Sequence, residues 1–164
     1  MSKLAGERGR LGVVSLKALD DESTYLSSDW PKIAAALLPS GKFNEAVYQQ
    51  VQKIYAFGVL IGNGDMHPGN LSLFVDDVTK PEPEFTLAPV YDMLPMSLEP
   101  RPSGLIPDAL PMPKIGANPK LEVWKEMLQL AIHYWHSFAM HSGVEEDVKQ
   151  MALRHVDILS RSLS

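Results

Sequence analysis

From Phe43 to Ile61 the residues Val47, Val51, Ile54, Tyr55, Gly58 and Ile61 recur at intervals of three and four, and the chain then breaks into GNGDMHPGN. The spacing predicts a helix with one buried face. Its second half, YAFGVLIG, is apolar on every side, which puts that end of the helix near the centre of the fold. The polar, turn-forming loop that follows must therefore lie directly against the core.

The flanking segments read more simply. GVVSLKAL, Gly12 to Leu19, holds a short β-branched run and is expected to be extended, with DDESTYLSSD after it as a loop. Asp29 two residues before Pro31 marks a helix start, and Ile33 to Leu38 form a short helix stopped by Pro39 and Gly41. Past the polar loop, LSLFV and FTLAPVY (Phe85 to Tyr91) read as two strands of an antiparallel hairpin joined by the turn-rich DDVTKPEPE. Nine of the thirteen prolines fall between Pro81 and Pro113, so that stretch cannot be regular helix and is expected to run over the surface as an ordered loop. A second long helix starts at Asn118–Pro119 with the stripe Leu121, Trp124, Leu128, Ala131, Trp135 and Phe138. Gly143 ends it, and Val144, Val148, Met151, His155, Leu159 and Leu163 trace a closing helix. The expected class is mainly α, with a small antiparallel hairpin.

Bulk properties narrow the function. The 164 residues fit one domain, and 45% hydrophobic with 21% charged residues is an ordinary globular balance. With no cysteine the chain has neither disulfides nor thiolate metal sites. A net charge of -5 argues against direct nucleic-acid binding, and the basic group Lys3, Arg8, Arg10 and Lys17 reads as a solvated terminus. The longest apolar run, near Ala56 to Ile61, is too short to span a bilayer, and MSKLAGERGRLG is followed by no apolar export segment. A cytoplasmic location with no membrane partner is expected.

Chemistry gathers around the polar loop. Asp65 and Asn70 lie five apart within it, and Asp92 follows the hairpin. Alone, Asp and Asn in a glycine-containing turn need do no more than bond their own backbone. Together with a second acid beyond a hairpin, they have the order of a phosphotransferase centre: a carboxylate that takes a hydroxyl proton, then an amide and a carboxylate offering oxygens to a hard cation. His133 and His136, three apart on the second long helix, have no obvious carboxylate to complete a metal site. Trp124 and Trp135 fall on its apolar stripe and read as core.

The combination of RGRLGVVSL, GNGDMHPGNLSLF and LAPVYDMLP resembles the C-terminal lobe of HipA-type serine/threonine kinases, the toxins of bacterial type II toxin–antitoxin pairs, over most of the chain. The resemblance implies a kinase-like lobe spanning residues 1–164. It implies Asp65 as catalytic base, His67 near the transferring phosphoryl group, and Asn70 and Asp92 holding Mg²⁺ against the phosphates of ATP. It also implies a protein substrate and an antitoxin-like partner. One departure stands out: HipA proteins usually place Lys before the Asn of this motif, whereas Pro68 and Gly69 give HPGN here, closer to aminoglycoside phosphotransferases. No phosphate-covering loop is evident: GERGRLG, Gly6 to Gly12, lacks the helix that such a cradle needs. The chain is accordingly expected to lack the nucleotide-binding lobe and to have little activity alone. The alternatives are a non-catalytic interaction module and a small-molecule phosphotransferase.

Overall fold

A computed structural model describes residues 12–162 apart from 27–28, 78, 82, 101, 103, 105–106, 108, 111 and 115–118. The expected starting residue Asn118, the terminal basic residues Lys3, Arg8 and Arg10, the GERGR segment and Leu163 lie outside the described residues. The elements in order are β1 (Gly12–Ser15), α1 (Leu16–Ser23), α2 (Trp30–Leu37), α3 (Glu45–Ile61), β2 (Ser72–Val75), β3 (Phe85–Leu87), α4 (Leu121–Met140) and α5 (Glu146–Arg161). Short 3₁₀ turns occupy Leu38–Ser40, Pro68–Asn70 and Met96–Leu98. Mostly helical content with a small antiparallel sheet agrees with the class expected from the sequence.

Helix α3 organises the rest. Asn44 caps its start by accepting from the Val47 amide at 2.9 Å, and Gly62, at φ +80°, ends it in the left-handed conformation. Its first half packs Val47, Tyr48 and Val51 into one core with Leu16, Trp30, Ile33, Leu71 and Leu73. Its second half packs Ala56, Leu60 and Ile61 into another with Trp124, Leu128, Ala131, Trp135 and Leu159. One helix thus separates the sheet with α1 and α2 from the α4–α5 pair.

Three expectations need correction. The sheet has three strands, because β1 pairs antiparallel with β2 in the register Val13 to Phe74, and β2 pairs with β3 in the register Phe74 to Thr86. FTLAPVY contributes only Phe85–Leu87: the Ala88 amide still donates to the Ser72 carbonyl at 3.0 Å, but Pro89 has no N–H with which to continue the ladder. Helix α1 begins at Leu16, inside the run expected to be extended to Leu19, and continues to Ser23, so the first four residues of the acidic stretch taken as a loop are helical. Ser15 caps it, Leu16 and Leu19 sink into the core, and the buried Asp20 carboxylate accepts from the Leu26 amide at 2.8 Å and from the Thr24 hydroxyl. Two buried leucines outweigh the polarity of the sequence there.

The proline-rich stretch contains no α-helix among its described residues, as expected, but it is not wholly superficial. Leu110 is buried in the second core. At the start of α4 the Lys120 amide donates to the buried Gln52 side chain at 3.1 Å, while Leu121 is 53% exposed and falls off the stripe that the sequence suggested. Among the described residues no helix is long and apolar enough to cross a membrane.

His155 shows how the second core handles the end of α3. The last four carbonyls of a helix lack intrahelical partners. Those of Gly58 and Val59 accept from the amides of Gly62 and Asn63, whereas that of Leu60 faces His155 Nε2 of α5 at 3.3 Å. His155 is 3% exposed and meets Trp135 edge to face at 5.4 Å. Burial pushes its pKa down, with the Leu60 carbonyl opposing. A depressed histidine pKa favours the neutral ring in the fold, so this stability is complete above the unfolded pKa of about 6.5 and is lost as pH falls from there through the folded value. Thermal melts at pH 7.5 and 5.5 should show a lower midpoint in acid, and His155→Gln should flatten that difference.

Candidate active site

The loop from Gly62 to Asn70 is built by local hydrogen bonds and then fastened from three directions. The Asn63 amide donates to the Gly58 carbonyl at 2.9 Å, which carries the chain off the end of α3. The Asn63 side chain accepts from the Asp65 amide at 2.9 Å, closing an Asx turn. Trp30 Nε1 donates to the His67 carbonyl at 2.9 Å, and the Tyr91 hydroxyl donates to the Gly69 carbonyl at 2.9 Å. The Asn63 side chain also donates to the Asp92 carbonyl at 3.1 Å.

Asp65 and Asn70 are brought into direct contact. Asn70 Nδ2 donates to the Asp65 backbone carbonyl at 2.9 Å and to its carboxylate Oδ2 at 3.0 Å. This turns the amide nitrogen toward Asp65 and leaves Asn70 Oδ1 as the atom able to ligate a cation. The Asp65 carboxylate itself remains 57% exposed and open to solvent.

His67 lies beside them. Its Nδ1 accepts from the Gly69 amide at 3.0 Å, so the ring hydrogen belongs on Nε2, which faces Asp65 Oδ1 at 3.8 Å. The close approach explains one residue of HPGN: a Cβ on Gly69 would stand 2.7 Å from the imidazole Cε1. Glycine at that position lets the histidine fold over its own loop.

Asp92 belongs to the extended segment that follows β3 and Pro89. It is exposed and adopts φ +51°, a left-handed conformation uncommon for a residue with a Cβ. Its carbonyl is tied to Asn63, which is how the segment after the hairpin is brought to the loop after α3. Met66 and Met93 line the same junction and pack against the first core, with Met93 reaching the second as well.

His133 and His136 are exposed on α4, and no group of three His, Cys, Asp or Glu side chains able to hold a metal occurs among the described residues. Trp124 and Trp135 are buried in the second core. Sequence reasoning passed over Trp30, Tyr91 and Asn63. Trp30 sits 37 residues before its partner carbonyl, and no local pattern reports such a bond. Tyr91 is next to Asp92 and Asn63 two residues before Asp65, and nothing in their local pattern distinguishes them from ordinary turn residues.

A mainly helical lobe that presents an Asp-x₄-Asn loop beside a second aspartate defines the class. The model of the HipA-like C-terminal domain family matches residues 8–161, and the chain belongs to that family. It is 36% identical over 151 residues to the toxin YjjJ of Escherichia coli (strain K12), an alignment that takes in 92% of this chain and 32% of that protein. The chain therefore spans about a third of the length of that relative.

Trp30 offers a direct check on the loop. Trp30→Phe removes the donor to the His67 carbonyl and should cost about 1–3 kcal/mol in urea denaturation. Amide exchange should accelerate over residues 64–69 more than over α3.

Proposed function

We propose that this chain is the kinase-like catalytic lobe of a HipA-like toxin, which transfers the γ-phosphoryl group of ATP to a serine or threonine of a protein substrate. The observation that carries the reading is the Asn70 side chain bonded to both the carbonyl and the carboxylate of Asp65, at 2.9 and 3.0 Å. That pairing holds a candidate base and a candidate cation ligand together in one short loop.

In this reading Asp65 receives the hydroxyl proton of the substrate. Asn70 Oδ1 and the Asp92 carboxylate would supply oxygens for Mg²⁺, and the donor set fits: an amide oxygen and an exposed carboxylate are hard ligands that leave room for phosphate oxygens and water. When bound, Mg²⁺ offsets the charge on the phosphates. In the same reading His67, with its hydrogen on Nε2, would donate to a phosphoryl oxygen. The cytoplasm is the proposed compartment and an antitoxin-like protein the proposed partner, in keeping with the family.

The groups that grip the nucleotide are not evident in this chain, so the reading assigns them to a separate lobe. Phosphoryl transfer depends on positioning and charge stabilisation, and half of a cleft supplies half of each. In a protein carrying this chain together with a nucleotide-binding lobe, Asp65→Ala should lower transfer from labelled ATP by roughly 10²-fold or more. Unchanged turnover would remove Asp65 from the mechanism.

A further inference from the structure

We infer that Asn63 is a positioning residue that fixes Asp92 relative to Asp65 and so sets the geometry of the cation site. The inference rests on the reading of Asp65, Asn70 and Asp92 as a phosphoryl-transfer centre.

Asn63 is 8% exposed, one of the few polar side chains buried among the described residues. Burying an amide is costly unless both ends find partners. Both do, and the two partners are the two aspartates: Oδ1 accepts from the Asp65 amide at 2.9 Å and Nδ2 donates to the Asp92 carbonyl at 3.1 Å. Only a side chain with an acceptor and a donor on one short planar group can do this. Asn is the shorter of the two amides, and its carboxamide lies at Asx-turn distance from its own backbone.

The Asp92 backbone needs such a tie. A left-handed conformation at a residue other than glycine is strained and persists only where its surroundings hold it. The Asp92 carbonyl accepts from the Leu94 amide at 3.0 Å as well as from Asn63, and three residues past Leu94 the Ser97 amide donates to the Gly62 carbonyl at 2.9 Å. The segment from Asp92 to Ser97 is thus pinned at both ends to adjacent residues, Gly62 and Asn63, at the terminus of α3. No other side chain bonds to both acid-bearing segments through the pair Asp65 and Asp92 among the hydrogen bonds of the described residues.

The two roles of Asn63 can be separated by substitution. Asn63→Ser keeps an oxygen able to accept from the Asp65 amide but cannot reach the Asp92 carbonyl. Mn²⁺ titration of the 164-residue chain, followed by broadening of the Asn70 and Asp92 amide signals in NMR spectra, reads the cation site without any assay of activity. Amide exchange at Leu94 and Ser97 reads the pinning. N63S should need about tenfold more Mn²⁺ for the same broadening, in line with the effect of residues that orient metal ligands. Exchange at Leu94 and Ser97 should accelerate while the α3 amides from Ala56 to Ile61 keep their rates. Asn63→Asp, of the same shape and lacking the Nδ2 donor, should raise exchange at Leu94 likewise and serves if N63S proves poorly folded.

Unchanged exchange in both variants would overturn the inference. Faster exchange with an unchanged Mn²⁺ requirement would also overturn it, since Asn63 would then be a structural tie only. If the unsubstituted chain shows no Mn²⁺ broadening at Asn70 and Asp92, the cation reading of those residues falls. The positioning of Asp92 by Asn63 is then decided by exchange alone.

Discussion

Everything around the candidate site depends on where α3 stops. The helix packs its first half into one core and its last turn into the other, so its end is held by both cores through one continuous rod. Gly62 ends it in a left-handed conformation, and a Cβ there would press on Leu110 at 3.1 Å, so the exit is crowded as well as strained for any other residue. The chain leaves the helix in one direction only. Asn63, Asp65 and Asn70 then take their places from that starting point, and Ser97 returns from the far side of Asp92 to bond the same Gly62.

Periodicity carried most of the helical architecture. α2, α3, α4 and α5 each follow from an apolar repeat bounded by a cap, a proline or, before α5, by Gly143, because tertiary burial and local pattern agree there. α1 did not follow. Its sequence, LKALDDES, has only two large apolar side chains, and what makes it a helix is that both enter the core while Asp20 turns inward to close its end. The third strand escaped for a related reason: β1 pairs with a strand nearly sixty residues away, and a four-residue run announces extension without naming a partner.

The candidate residues were legible because their types are chemically unusual against a core, and the spacing of Asp65 and Asn70 allows contact within one loop. What holds them was not. Trp30 is an aromatic on a short amphipathic helix and would be assigned to packing, which it also does; its indole N–H contributes through a bond to a distant backbone carbonyl. Tyr91 likewise crosses from the segment beside Asp92 to Gly69 and meets the Ser72 hydroxyl at 3.2 Å. Such cross-loop bonds depend on tertiary placement, which sequence spacing does not encode.

The proline-rich stretch that carries Asp92 from the sheet toward α4 has a thermodynamic consequence of its own. A long connection with little regular hydrogen bonding normally forfeits much backbone freedom when it orders. Nine prolines between Pro81 and Pro113 restrict φ in the unfolded chain as well as in the folded one. The loss on ordering is correspondingly smaller. A few fastenings, at Asp92, Ser97 and Leu110, can then suffice where a more flexible sequence would require a dense lattice of contacts. Stiffness in the unfolded ensemble thus stands in for secondary structure.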